Sequence, residues 1–300
     1  MGIKTVMKWA TLGLGAAALA VLAACNPRPA EIASPDDSAL RVGTFNVHYL
    51  ILGQSEGPWS EAAFAARKAP LDAVCKAMDA DIIAFQEMES FGRGADKNIN
   101  LVRDWLLSQN PDYAAGANGD ASVFPITQPI FYRGDRVTLI DQGWFFFSDT
   151  PDVIYARTFN GSWPAFASWI EVEVDGKRMK VVNVHNDYAS RSNRVKSSNL
   201  IAARIAPWLA ADERVMVVGD FNALRIGAPL RIVADAGIDF VPVRGATYHL
   251  NRGVGLFGAI DHLGISDGIT QVGDTQVLRG QFAGAYPGDH YPVVGDFVLD

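Results

Sequence analysis

Residues 214–223 read RVMVVGDFNA, four apolar residues running straight into Gly219, Asp220, Phe221 and Asn222. Val215 to Val218 has the length and β-branched content of a buried strand, and Gly219 permits a tight turn where that strand is expected to stop. Side chains alternate faces along a strand, so Asp220 and Asn222 are expected on one side and Phe221 on the core side. Taken alone, a turn that merely caps the strand explains these residues as well as a site does, because Asp and Asn are ordinary turn formers. The construction recurs, however: apolar strands are expected to terminate in a polar or ionisable pair at Asn46, Glu87, His185, Asp261 and Asp289-His290 as well. Six such strand ends suit an α/β fold, and if they lie along one rim they gather carboxylates, amides and two imidazoles in one crevice, the place where such folds bind ligands.

The segments between those ends alternate in period. Helices are expected over 61–78, 99–107 and 191–209, and a loop over 113–119. A hairpin is expected from 129–133 and 137–140 around Gly134-Asp135. Further strands are expected over 41–45, 81–85, 144–147, 168–174, 178–184 and 291–299. No repeat or low-complexity tract interrupts them, and 49% hydrophobic content supports a large core. Residues 40–300 are read as a single domain.

The first 24 residues do not belong to it. Lys4 and Lys8 precede an uncharged stretch over 9–24, the charge pattern of a secretory signal and shorter than the roughly 20 apolar residues that span a bilayer. It ends in Leu22-Ala23-Ala24-Cys25, which resembles a bacterial lipobox and implies cleavage before Cys25 and lipidation of its thiol. Residues 25–39, rich in Pro, Ala, Ser and Asp, are expected to form a flexible tether. The protein is thus expected to be exported and anchored by lipid to a bacterial membrane, in the cell envelope. With Cys25 lipidated, Cys75 has no disulfide partner, and its helical pattern with Leu71, Val74 and Met78 makes it a buried helix residue. Loss of Lys4 and Lys8 takes the formal charge from −7 to −9. That argues against a general nucleic-acid coat, whose affinity comes from Lys and Arg on phosphates. An enzyme that acts locally on a phosphodiester stays open, since one metal ion and a few arginines can supply the positive field.

The segments TFNV at Thr44, FQEM at Phe85, FFFSDTP at Phe145, NVHND at Asn183, GDFNA at Gly219, AIDHL at Ala259 and GDHYPV at Gly288 resemble, in order, those of the endonuclease/exonuclease/phosphatase superfamily. This DNase I-like family includes nucleases, inositol polyphosphate 5-phosphatases and bacterial sphingomyelinases. The resemblance implies an α/β (α+β) fold, a four-layer α/β/β/α sandwich of two packed mixed β-sheets flanked by helices, with the site at one end. It implies Glu87 as the main ligand of Mg²⁺ or Mn²⁺, with Asn46 nearby and Asp289 contributing, in keeping with a hard cation that takes oxygen ligands. Asp220 would orient or deprotonate the attacking water, and Asn222 would hold that water or a phosphate oxygen. His290, oriented by Asp261, would share the base or phosphate-stabilising role, and His185 would contact the scissile phosphate or assist the leaving group.

The activity so implied is metal-dependent hydrolysis of a phosphoester, as a phosphodiesterase or endonuclease, by a monomer. A phosphatase on inositol or lipid phosphates, and a non-catalytic surface-binding lipoprotein of the same fold, are the competing readings. Nucleic acid is a possible substrate but not a required one: no basic stripe is visible, and the segment from Glu87 to Phe131 offers Arg93, Lys97 and Arg103. His48, which could face the cleft, His249, in an expected loop, and His262, on the face opposite Asp261, are read as structural. Arg191, Arg194 and Lys196 suit a solvated helix face as well as a role near His185.

Overall fold

A computed structural model describes residues 32–35, 38–88 and 98–300. The expected signal segment 1–24, the lipid site Cys25 and the residues Arg93 and Lys97 lie outside the described residues. Among the described residues, no helix is long and apolar enough to cross a membrane. Residues 32–35, assigned to the tether, touch the domain: the Ala33 amide donates to Gln276 Oε1 at 2.9 Å, and Arg41 donates to the Ala33 carbonyl at 2.9 Å.

Among the described residues, twelve strands form two mixed six-stranded sheets. The first sheet holds β1 (Leu40–Asn46), β2 (Ile82–Gln86), β3 (Tyr113–Gly116), β4 (Ile130–Arg133), β11 (Ile269–Val277) and β12 (Val293–Leu299), in the order β11-β12-β1-β2-β4-β3. The second holds β5 (Thr138–Phe146), β6 (Phe166–Val174), β7 (Lys177–His185), β8 (Arg214–Asp220), β9 (Asp239–Phe240) and β10 (Asp261–Ile265), in the order β5-β6-β7-β8-β10-β9. Among the described residues are four helices: α1 (Glu61–Met78), α2 (Leu101–Gln109), α3 (Arg191–Ala210) and α4 (Ala228–Asp235).

Strand alternation builds three apolar layers from one sequence pattern. Val42, Ile82, Ala84, Val181, Met216, Val218 and Leu263 fill the space between the sheets. Their neighbours Phe45, Ile83 and Phe85 turn outward onto α1 and α2, where Leu71, Val74 and Met78 meet them. Val182, Val184, Val215, Val217 and Phe221 turn outward onto α3 and α4, against Ile201, Ile205, Leu230 and Val233. Cys75 is buried in α1, as its helical pattern implied, and is a free thiol among the described residues. Side-chain caps fix the helix starts: Ser60 accepts from the Ala63 amide and Ser190 from the Asn193 amide.

Four local expectations are corrected. Asp261 was expected to close an apolar strand over 259–260 and instead opens β10, whose start is set by pairing of Asp261 with Asp220 on β8. The expected loop over 113–119 contains strand β3, which pairs with β4 from Tyr113↔Arg133 to Gly116↔Ile130. The segments on either side of Gly134-Asp135 do not pair as a hairpin. β4 bonds to β2 and β3 in the first sheet and β5 bonds to β6 in the second, so this turn carries the chain across the sandwich. Gly219 does not end its strand either. β8 continues to Asp220, and glycine is required because a Cβ there would lie 2.1 Å from the Val184 carbonyl oxygen, at a φ of +135°.

Candidate active site

The alternation that builds the core also builds the site. Met216, Val218 and Asp220 share one face of β8, and Val181, Asn183 and His185 share one face of β7. Leu263 and Asp261 do so on β10, and Val42, Thr44 and Asn46 on β1. The line of side chains between the sheets thus changes from apolar to ionisable at one end. Register completes the row: His185 is paired with Asp220 across the parallel β7–β8 ladder, and Asp220 with Asp261 across the antiparallel β8–β10 ladder.

Beneath this row an amide pair joins the sheets. Gln86 Nε2 donates to Asn183 Oδ1 at 2.7 Å, and Asn183 Nδ2 donates to the Phe85 carbonyl at 2.7 Å, with both side chains fully buried. Glu87 follows at φ +58°, a left-handed conformation unusual outside glycine. It accepts the Tyr49 amide on Oε2 at 3.3 Å, and its Oε1 lies 3.5 Å from His185 Nε2.

Asp220 is the hub. Its Oδ2 accepts from Asn46 Nδ2 at 3.2 Å and lies 3.8 Å from Nε2 of both His185 and His290. Its Oδ1 accepts the Asn222 amide at 2.8 Å, and Asn222 Nδ2 reaches Oδ2 at 3.3 Å and the Asn186 carbonyl at 2.8 Å. Asn222 therefore does lie beside Asp220. A turn at φ +48° puts it there, where continued strand alternation was expected to do so. Burial and the nearby Asp261 raise the Asp220 carboxyl to about 6, against the opposing pull of His290, His185 and the Asn222 amide.

His290 Nδ1 sits 2.9 Å from Asp261 Oδ2, and both side chains are buried. Burial disfavours the imidazolium, but Asp261, Asp220 and Asp289 reverse that effect and raise His290 to about 10. Burial pushes the Asp289 carboxyl up, while His48 and His290 outweigh it and hold it below the usual range. His48 Nδ1 is 3.1 Å from Asp289 Oδ1, so His48 belongs to the site's edge. His249 is buried and stacks on Tyr291 at 4.0 Å, and His262 turns away to the Ala223 carbonyl at 2.9 Å. Both are structural, as expected. Arg194 donates to the carbonyls of Asp187 and Tyr188, fixing the loop that follows His185.

Two sets of residues carry atoms a metal ion could use, and among the described residues the ligand atoms of one set lie close enough together to share an ion. Asp261 Oδ1 is buried without a hydrogen-bond donor, the type of acceptor a cation satisfies, whereas Asp289 Oδ1 faces His48 Nδ1 at 3.1 Å. Glu87, Asp289 and Asn46 together offer hard oxygen donors. Separately, Asp220, Asp261 and His290 place one potential ligand atom each within 4.8 Å of one another, a buried group able to hold a metal ion. In the second group, His290 Nδ1 already engages Asp261, which favours a carboxylate orienting an imidazole over a cage.

Residues without a signal in the sequence complete the scaffold. Arg67 on α1 donates to the carbonyls of Val47, His48, Tyr49 and Pro287, tying the loop after Asn46 to the one before Asp289. Tyr248 packs its ring 5.1 Å from that of His290. Neither was legible beforehand, since an arginine on a helix and a tyrosine in a loop look like solvated surface.

No protein-family model matches the chain, and no curated protein matches it. Solved structures do. An endonuclease/exonuclease/phosphatase from Bacteroides vulgatus aligns at TM-score 0.71 and 19% identity, over 88% of this chain and 100% of that one. A mannosyl-6-phosphatase from Bacteroides thetaiotaomicron aligns at 0.67 and 20%, over 87% and 100%. The human nocturnin catalytic domain with bound sulfate aligns at 0.58 and 14%, over 89% and 97%. The chain has the two-sheet α/β sandwich fold of these proteins.

Proposed function

We propose that the chain is a member of the endonuclease/exonuclease/phosphatase superfamily and a divalent-metal-dependent hydrolase of phosphoester bonds, acting as a phosphodiesterase. The observation that carries this reading is the position of Asp220 Oδ2, held by Asn46 and facing His185 Nε2 and His290 Nε2 at 3.8 Å each. A carboxylate between two imidazoles, with an amide alongside, has what in-line attack by water on phosphorus demands. It offers a group to accept the water's proton and donors for the phosphoryl oxygens.

Glu87, with Asn46 and Asp289, would hold Mg²⁺ or Mn²⁺; the ion, when bound, neutralises charge on the phosphoryl oxygens. Asp220 and Asn222 orient the water, and the proton passes to Asp220 as the water's oxygen bonds to phosphorus, while the charged His290 faces the phosphoryl oxygens. The ester P–O bond breaks, and His185 faces the departing oxygen. Asp261 keeps His290 charged and fixed in orientation. The charge pattern of residues 1–24 and Cys25 further supports an exported, lipid-anchored enzyme of the cell envelope.

The test is hydrolysis of bis(4-nitrophenyl) phosphate by the purified protein with Mg²⁺ or Mn²⁺. Activity that EDTA stops and that Asp220→Asn removes supports the reading. Undiminished hydrolysis by Asp220→Asn, or none with any divalent ion, refutes it.

A further inference from the structure

Two loops leave the candidate site side by side, and both are apolar where solvent meets them. Residues 222–227 depart from Asn222 at the end of β8. Residues 248–258 depart from Tyr248, which bridges to His290, while the His249 amide donates to the Asp289 carbonyl at 2.8 Å. Among the described residues, six of the thirteen exposed large hydrophobics fall in these two segments: Leu224, Ile226, Leu250, Val254, Leu256 and Phe257. That concentration is not the scatter of single apolar residues that ordinary surfaces carry. Ile226 is 79% exposed, Phe257 65% and Leu256 62%. The loops also touch: a Cβ on Gly258 would come within 3.2 Å of Leu224 Cδ2. They form one continuous rim at the mouth of the site.

Charge decides what such a rim fits. The chain is acidic, with a formal charge of −7, yet the charged residues of the two segments are Arg225 and Arg252 and no acid. An apolar tip flanked by arginines complements an anionic amphiphile, apolar within and negative at its surface. A second copy of this chain would set like arginines against each other across a two-fold axis. Nucleic acid offers phosphates but no apolar phase for Leu256, Phe257 and Ile226 to enter.

We propose that the 222–227 and 248–258 loops form a lipid-facing surface that inserts into an anionic bilayer and presents the site to the phosphoester headgroup of a membrane lipid. This rests on the phosphoester-hydrolase reading for its chemistry, but lipid insertion can be tested separately. It also does not depend on a lipid at Cys25, because the contact is specific to the rim.

The test places an environment-sensitive fluorophore at the rim of the full chain through Phe257→Cys, with Arg178→Cys at the far end of β7 as control. Cys25 is replaced by serine in every labelled chain, which also removes any lipid there, and Cys75 is buried with its thiol pushed far up by burial, so neither competes for label. With phosphatidylglycerol vesicles, the label at 257 is expected to shift to the blue and to be quenched by brominated acyl chains, while the label at 178 does neither. Combining Ile226→Ser with Leu256→Ser is expected to lower the lipid-dependent signal at 257 by about tenfold. In the unlabelled chain, that pair is expected to leave bis(4-nitrophenyl) phosphate hydrolysis unchanged and to reduce hydrolysis of vesicle phospholipid. No response at 257 to any vesicle overturns the proposal, as does a response that grows with protein concentration without lipid. Loss of soluble-substrate hydrolysis in Asp220→Asn, alongside a null vesicle result, would separate failure of the surface from failure of the hydrolase reading.

Discussion

His290 Nδ1 lies 2.9 Å from Asp261 Oδ2, both groups buried, while Nε2 of the same ring lies 3.8 Å from Asp220 Oδ2. One imidazole is thereby pinned at its back and aimed at the hub from its front. Burial would keep the ring neutral; Asp261, then Asp220 and Asp289, keep it charged up to about 10.

Asp261→Asn should therefore narrow the alkaline side of the pH–rate profile. Without that carboxylate, burial is less opposed and His290 loses its proton at lower pH, so activity that needs the imidazolium falls earlier. The position of the alkaline limb for wild type and variant is the readout. A uniform loss of rate with no movement of the limb would contradict the orienting role.

Asp220 is raised to about 6, by burial first and by Asp261 next. As pH falls through that value the carboxylate gains a proton and can neither accept one nor orient water as an anion. The acid limb of hydrolysis is expected near that pH. Asp220→Asn should cost about 10² to 10⁴ in kcat, the usual worth of a positioned acid or base, with the circular dichroism spectrum unchanged.

His249 is held at about 4, because burial of its ring outweighs Asp289 and its backbone partners. Above pH 6.5 neither folded nor unfolded His249 binds a proton, so stability is unaffected. Between 6.5 and 4 the unfolded chain takes up the proton and the folded chain does not, so stability falls across that window and levels off below it. The loss is at most about 3 kcal/mol. His249→Phe keeps the stack on Tyr291 and should flatten this part of the curve in urea denaturation at stepped pH.

Asn183 joins the sheets through Gln86 and the Phe85 carbonyl. Asn183→Leu takes the side-chain donor from the buried Phe85 carbonyl, while Gln86 Nε2 keeps Thr44 Oγ1 at 3.0 Å and the Ala84 carbonyl at 3.1 Å, and it should destabilise the fold by about 1 to 3 kcal/mol. Thermal unfolding is the measurement. A Tm unchanged from wild type would mean that the bridge contributes nothing net.

Much of this molecule is written locally. The runs ending at Asn46, His185 and Asp220 are legible because strand period is two: an apolar line followed two residues on by a polar side chain keeps its face. Helix α1 is legible from Glu61 to Met78 because its apolar residues recur at helical spacing. Strand β3 was missed because Tyr-Ala-Ala-Gly has little alternation, and its pairing with β4 decides it. The turn at Gly134-Asp135 has hairpin chemistry but joins two sheets, since pairing partners are chosen by the whole core and not by the turn.

What the sequence by itself determined was which residues stand at strand ends and which face each takes. What tertiary structure alone decided was who stands beside whom: Asp261 beside Asp220, β12 beside β1, Arg67 beneath two loops over 200 residues apart. The reason is physical. Alternation is fixed by backbone geometry within a few residues, whereas strand adjacency is a choice among many apolar partners of similar worth. Only the simultaneous burial of all three layers selects among them.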